Sequence, residues 1–454
     1  MTWFTRARER IRQNPNWKWL YFGLGIKRWL ALLFLGITIL GLGFAYLLVE
    51  VYHAYVFPAF FYYLTLQFID RPWRAALFVV LGVSGVLFAL YRLNQALLSA
   101  LPPNQRNLID ILYRRRNRLR SIKVVAIGGG TGLSTLLRGL KYYTENITAI
   151  VTVADDGGSS GKLRQELGVL PPGDFRQCIA ALAEAEPLMT SLFEYRFGPG
   201  ETLSGHSFGN LFIAAMAGVT GNFERGLVEV SRVLAVRGQI VPSTLQNLTL
   251  GAELKTGGNQ IYTRVQGESR LAKQGTPITR VFLNPENPPA YPGAVRAILE
   301  ADLIIAGPGS LYTSVLPNLL VPNIANSLAT ALASKIYICN IATERGETDG
   351  MDARAHANAL EEHIHARVFE NVLVNDNFRA RLPSHAQIEY VKTDREAPYH
   401  FVHADVADEE HPWRHDPDKL AREIFKWYAR QKKKNGQILR ERAPGLQKES
   451  SLAG

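Results

Sequence analysis

Residues Ile122–Leu140 read IKVVAIGGGTGLSTLLRGL: an apolar run breaks into three consecutive glycines and restarts with helical spacing. This is the pattern of a strand, a tight loop and a helix. Gly128, Gly129 and Gly130 lack a Cβ, so the backbone can turn sharply and approach a ligand closely. The helix that starts near Thr131 and Gly132 aims unpaired N–H groups at an anion. A nucleotide or sugar phosphate is the natural guest, an ordinary tight turn the alternative. Two better-known phosphate loops do not fit. The dinucleotide fingerprint G-x-G-x-x-G, begun at Gly128, requires glycine where Leu133 stands, and a P-loop requires lysine in the Gly132-Leu133-Ser134 triplet.

Outward from this loop, strand-like runs at 123–127, 147–153, 303–306, 335–339 and 372–374 alternate with helical stretches. They are continuously apolar rather than alternating. That predicts an α/β, Rossmann-like doubly wound fold, with a mostly parallel sheet covered by helices on both faces. The second strand ends in Ala154-Asp155-Asp156-Gly157-Gly158-Ser159-Ser160-Gly161-Lys162. An acid there can bond ribose hydroxyls of a nucleotide lying across the first loop, and paired carboxylates can hold Mg²⁺ against phosphates. Asp155 and Asp156 are therefore candidates for ribose or metal, and Gly157, Gly158, Ser159 and Ser160 for phosphate. A solvated Asp-Gly turn is the alternative.

Further candidates follow along the chain. Asp174 reads as the N-cap of a helix that carries Arg176 in its first turn. The small-polar loop Leu203–Asn210 contributes His206, Ser207 and Asn210. Gly307-Pro308-Gly309-Ser310, with Thr313 behind it, follows a strand and starts a helix, a second anion-binding turn. Two such units in one parallel sheet can hold a diphosphate from either side of a switch point. Arg345, in the loop after the next strand, is a candidate clamp on phosphate.

Charge and hydropathy place the rest of the 454 residues. Trp29–Val49 and Ala75–Tyr91 carry no charge. Both read as membrane spans, the second extended back to Trp73. The first 28 residues hold seven Lys/Arg against Glu9, and residues 92–123 hold eight against Asp110. Positive charge on both flanks places both ends in the cytoplasm and requires an even number of spans. The uncharged connection Val51–Ile69, with Pro58, is read as external or interfacial. A cleaved signal peptide does not fit, because the apolar run is long and a second one follows.

The organisation expected is a basic arm at 1–28, a membrane hairpin at 29–91 with spans at about 29–49 and 73–91, and a basic juxtamembrane linker at 92–121. A nucleotide-binding domain follows at 122–429, then a basic, disordered tail at 430–454. The two flanks and the tail hold more than the whole net charge of +11, so the remainder is acidic. That directs the basic segments toward anionic lipid and excludes a nucleic-acid footprint on the folded part. Cys178 and Cys339 form no C-x-x-C pair, so neither a disulfide framework nor a zinc site is implied.

GGGTGLSTLLRGLK at 128–141, TVADDGGSSGKLR at 152–164, LPPGDFRQC at 170–178, GHSFGNL at 205–211, GPGSLYTSVLPNLLVP at 307–322 and GETDG at 346–350 resemble one family in order. It is the bacterial gluconeogenesis-factor family, the YvcK-like branch of the CofD-like (2-phospho-L-lactate transferase) superfamily. The resemblance, over about Lys123–Tyr428, implies a Rossmann-like domain that binds a UDP-sugar such as UDP-N-acetylglucosamine. It also implies a role in cell shape and envelope-precursor balance during gluconeogenic growth, with no reaction attached. The transferase branch moves a phospholactyl group from a guanosine diphosphate donor to a deazaflavin with a divalent metal, and its loops look different from GGGTGLST and GPGSLYTS.

Two features depart from the family pattern: Glu344-Arg345 where Gln-Pro is usual, and the amino-terminal hairpin on a usually soluble form. The reading is a membrane-tethered nucleotide-sugar sensor at the cytoplasmic membrane, its binding domain in the cytoplasm. Expected partners are membrane lipid, an envelope-synthesis or regulatory protein, and a second copy of the chain in a homo-oligomer. The rivals are a CofD-like transferase and an NAD-dependent oxidoreductase, the latter weakened by Leu133.

Overall fold

The structure is a computed structural model that describes residues 26–54, 58, 60–99 and 122–442, apart from 185–186, 201–202, 256–261, 275, 277 and 394–397. The chain divides into two units, Met1–Arg120 and Ser121–Gly454.

The first unit contains two 29-residue helices, α1 (Ile26–Ala54) and α2 (Arg71–Ser99). Each encloses one expected span and runs beyond it at both ends. A helix of that length reaches about 43 Å, more than the hydrocarbon core of a bilayer. The longest unbroken runs of described side chains in these helices are residues 35–47 and 71–86. Among the described residues no helix is long and apolar enough to cross a membrane. What those runs present is apolar and outward: Leu40 is 75% exposed, Phe44 67% and Val80 63%. In the connection, α1 runs on to Ala54 and a five-residue helix, Phe60–Leu64, follows.

The second unit is built on a parallel seven-stranded sheet in the order β10-β9-β8-β7-β1-β2-β3. The central strands are the continuously apolar runs: β1 (Val124–Gly128), β2 (Ile147–Val151) and β7 (Leu303–Ala306), with β8 (Ser334–Ile338) and β9 (Asn371–Asn375) outside them. Every residue of β1 and β7 is buried, which is why neither alternates. Ile127 sits between Ile150 of β2 and Ala306 of β7 in register. The edges are β3 (Gln239–Pro242) and β10 (His400–Ala404). Between β3 and β7 the chain forms β4 (Thr249–Lys255), β5 (Tyr262–Gln266) and β6 (Ile278–Asn284), a separate antiparallel sheet in the order β5-β4-β6. Leu250, Ala252 and Leu254 are its buried alternation.

Helices cover both faces. In chain order, those that position the site are α3 (Gly130–Leu140), α4 (Gly158–Leu167), α5 (Gly173–Leu182), α6 (Phe208–Thr220), α7 (Glu268–Gln274) and α8 (Pro417–Arg442). Helix α3 presents Leu133, Leu136, Leu137 and Leu140 to the core at 3–4 residue spacing, packed against α5 and α8. Helix α8 continues through residue 430 to Arg442, so the expected boundary between domain and tail falls inside a helix.

Candidate functional site

β1 is the point where the order reverses. The chain goes from β1 outward through β2 and β3, then returns to β7 on the other side of β1 and continues outward to β10. Loops leaving the carboxyl ends of β1 and β7 therefore face each other, the usual place for a ligand in an open α/β sheet. These are the two glycine turns. The Gly307 N–H donates to the Ile127 carbonyl at 2.9 Å, which fixes the start of the second turn beside the end of β1. Gly132 lies against the backbone of Pro308, where an added Cβ would stand 2.3 Å from its carbonyl oxygen. At Gly129 a Cβ would stand 2.4 Å from an Asp174 carboxylate oxygen. Only hydrogen fits at either position.

The turns open on a cleft of about 510 Å³. Of the predicted residues, Gly129, Thr131, Gly132, Pro308, Gly309, Ser310 and Arg345 line it. Gly128 ends β1 beneath them, its carbonyl held by the Asn318 side-chain amide at 3.0 Å. Gly130 is the first residue of α3, and its N–H donates to the Asp174 carboxylate. The second turn leads not straight into an α-helix but into a π-turn, Leu311–Val315, a form often found at functional sites. Gly309 N–H donates to Asn340 Oδ1 at 3.2 Å, the Asn340 amide donates to Glu344 Oε1 at 3.1 Å, and the Ser310 hydroxyl donates to Glu344 Oε2. Thr313 lies behind, donating to Glu347 Oε1 at 3.4 Å.

The predicted residues of the 155–160 and 206–210 segments form a polar cluster outside that cleft, buried at Ser159, Ser160, His206, Ser207 and Asn210. Ser159 Oγ is 3.1 Å from His206 Nδ1 and accepts from the Asn210 amide at 3.1 Å, while Ser207 caps α6 by accepting from the Asn210 N–H. All four are less than a tenth exposed, so they tie α4 to α6. Gly157 and Gly158 make the turn into α4, with Asp155 Oδ1 accepting from Gly157 N–H at 2.9 Å. Asp156 Oδ1 instead accepts from Ser269 N–H in α7 at 2.8 Å. The adjacent carboxylates thus engage different turns. Among the described residues no group of three or more His, Cys, Asp or Glu could hold a metal ion.

Asp174 joins cluster and cleft. The cap of α5 falls at Pro172, so Asp174 stands inside the first turn and serves the N-terminus of α3 instead. Burial, then the charge of Asp155, pushes its carboxyl up to about 7, against the opposing pull of Gly130 N–H and Arg176. Burial also raises Asp155 and, strongly, Glu268. Below the second turn, burial and then Glu344 raise Glu347 to about 8.

Sequence reasoning missed the far wall: Ala386, Ile388, Trp413, Arg414 and His415. The 413–415 segment is placed by an Ala407–His415 bridge and by Asp416 N–H donating to the Val406 carbonyl, beyond β10. Nothing but the Trp-Arg-His run before a helix marks it in the sequence. A second cleft, about 610 Å³, is larger. It lies at the amino ends of β1–β3 among Lys123, Asn146, Gln239 and Arg296, away from both glycine turns, so chemistry rather than size selects the first.

A doubly wound sheet with opposed glycine turns at its switch point defines an anion-binding α/β protein of the nucleotide-binding kind. Comparison gives the family. Residues 124–430 match the family model described as 2-phospho-L-lactate transferase CofD, starting at the first residue of β1. A Nostoc sp. (strain PCC 7120) protein with the name "Putative gluconeogenesis factor" is 45% identical over 438 residues, 93% of this chain and 95% of the relative. That share extends into the residues before β1. The Bacillus subtilis gluconeogenesis factor is 51% identical over 253 residues, covering 56% of this chain and 78% of that one. A crystal structure of a UPF0052 family member from Bacillus halodurans superposes with a TM-score of 0.63 at 43% identity, over 67% of this chain and 99% of the other. The chain belongs to the CofD family, in its gluconeogenesis-factor branch.

Proposed function

We propose that the chain is a membrane-tethered binder and sensor of a UDP-sugar such as UDP-N-acetylglucosamine, acting in cell shape and envelope-precursor balance during gluconeogenic growth. The observation that carries this is the opposition of Gly129–Gly132 and Pro308–Ser310 across one cleft at the switch point. The diphosphate lies between the two turns, with exposed Arg345 and Arg414 at the rim as its charge partners. The names of the relatives support the link to gluconeogenic growth. The cleft presents turns, amides and arginines, donors that suit an anion. Occupancy shifts a conformational population through differential affinity, and the altered surface is read by an envelope-synthesis or regulatory protein, or by a second copy of the chain.

Tethering rests on α1 and α2, whose described apolar side chains stand outward. The exposed Leu, Phe and Val of residues 35–47 and 77–86 suit lipid, and the basic flanks suit an anionic cytoplasmic leaflet.

The second reading, a CofD-like transferase, is favoured by the family description. Titration of the purified full-length chain with UDP-N-acetylglucosamine, UDP-glucose, GDP and NAD, with and without Mg²⁺, separates them. UDP-sugar binding without turnover supports the sensor; GDP binding that needs Mg²⁺ supports the transferase.

A further inference from the structure

Glu344 lines the cleft beside Pro308, Gly309 and Ser310, the turn that faces the first glycine loop. It is the one acid among the described residues that line the cleft, and Asp174, at the first turn, is not among them. Its carboxylate oxygens take different donors: Oε1 accepts from the Asn340 amide at 3.1 Å and Oε2 from the Ser310 hydroxyl. Asn340 in turn accepts the Gly309 N–H at 3.2 Å. Two donors that the turn could aim at an anion are thus engaged inside the protein. Burial raises the Glu344 carboxyl and the Ser310 hydrogen bond opposes that rise, while no lysine or arginine among the described residues offsets its charge. Glu347 beneath it is pushed up to about 8, by burial and then by Glu344, so near neutral pH Glu344 carries the negative charge of the pair.

A carboxylate beside a phosphate site repels in proportion to the charge that the phosphate brings, and such repulsion is a means of rejecting a competing ligand. A terminal phosphate, with a second pKa of about 6, carries nearly two charges above neutral pH. A phosphate esterified on both sides carries one. We propose that Glu344 sets the charge specificity of the second turn: it disfavours a terminal phosphate and so selects a diphosphate esterified at both ends, as in a nucleotide sugar, over the free nucleoside diphosphate. This deepens the nucleotide-sugar reading and rests on it.

The test is titration of the purified full-length chain with UDP, its β-methyl ester and UDP-N-acetylglucosamine, at about pH 8, where a terminal phosphate is fully ionised. The methyl ester removes one charge from that phosphate without adding a sugar, so it separates charge from sugar contacts. The wild type is expected to bind the ester at least about fivefold tighter than UDP. In Glu344→Gln, UDP affinity rises toward that of the ester and the ratio falls toward one. Glutamine keeps an acceptor for the Asn340 amide, and its own amide can donate to the Ser310 oxygen, so the turn keeps its shape. The wild-type comparison of UDP with its ester stands even if the variant fails to fold. Equal wild-type affinity for these two, or a ratio unchanged in Glu344→Gln, overturns the inference, and UDP-N-acetylglucosamine binding then leaves the nucleotide-sugar reading intact. Binding of none of the three by the wild type overturns both.

Discussion

The Gly132 Cα and the Pro308 carbonyl meet with no room between them for a side chain: a β-carbon at 132 would stand 2.3 Å from that oxygen and 2.7 Å from the Gly309 Cα. The first glycine turn is thus the wall against which the second is set. A change at either reaches the other through backbone, which cannot swing aside as a side chain would.

Gly132→Ala is therefore expected to displace the Pro308–Ser310 turn. The strain is on the order of 1–3 kcal/mol, as for other overpacked sites, with at least a tenfold loss of UDP-sugar affinity. Thermal unfolding and titration check the two parts. An alanine variant with unchanged affinity would remove the coupling between the turns.

Asp174 gives a pH dependence whose sign follows from its raised carboxyl. In the unfolded chain it ionises near its ordinary value of 3.8, in the folded protein near 7. The folded state holds the extra proton, so stability declines as pH rises from about 4 and levels off above about 7. A three-unit shift corresponds to about 4 kcal/mol. Asp174 keeps intermediate exposure, so a fraction of that is expected. Asp174→Asn keeps an acceptor for Gly130 N–H and should flatten the decline between pH 4 and 8 in denaturant unfolding. UDP-sugar affinity should fall through pH 7 in the wild type and less in the variant.

His206→Ala should behave as a structural lesion. It deletes the contact with Ser159 inside the buried α4–α6 tie, an expected cost of about 1–2 kcal/mol. UDP-sugar affinity should change less than twofold, because His206 does not line the cleft. A large loss of affinity with unchanged stability would put His206 in the binding site.

Tags placed after Met1 and at Ser451 should both lie on the cytoplasmic side in sealed membrane vesicles, and the chain should need detergent for release. Ends on opposite sides would contradict the even span count.

Much of the fold is legible because buried parallel strands leave a simple trace. β1, β2, β7, β8 and β9 are apolar runs followed by glycine, Asp-Asp or Asn, and each lies within a residue or two of its expected place. β3 and β10 escape notice because edge strands are short and partly polar, as QIVP and HFVHA are. The antiparallel β4–β6 sheet alternates, a pattern diluted by Glu253, Arg264 and Arg280 on its outer positions.

In the site, the glycine turns and Arg345 come together because glycine patterns report local backbone needs, and adjacent strands do the rest. Asp174 is legible as a capping acid, yet it caps α3 rather than the helix it opens, a tertiary choice. Trp413 and His415 arrive from beyond β10, about a hundred residues after Gly309, and no local rule links them to it.

The central claim is that the two glycine turns hold a nucleotide sugar's diphosphate. It is tested most directly by calorimetric titration of the full-length chain with UDP-N-acetylglucosamine, wild type against Gly132→Ala, in the absence of added metal. The account predicts one-to-one micromolar binding in the wild type, no turnover, and at least tenfold weaker binding in the variant. No UDP-sugar binding, with GDP bound only in Mg²⁺ and a group transferred, would contradict it.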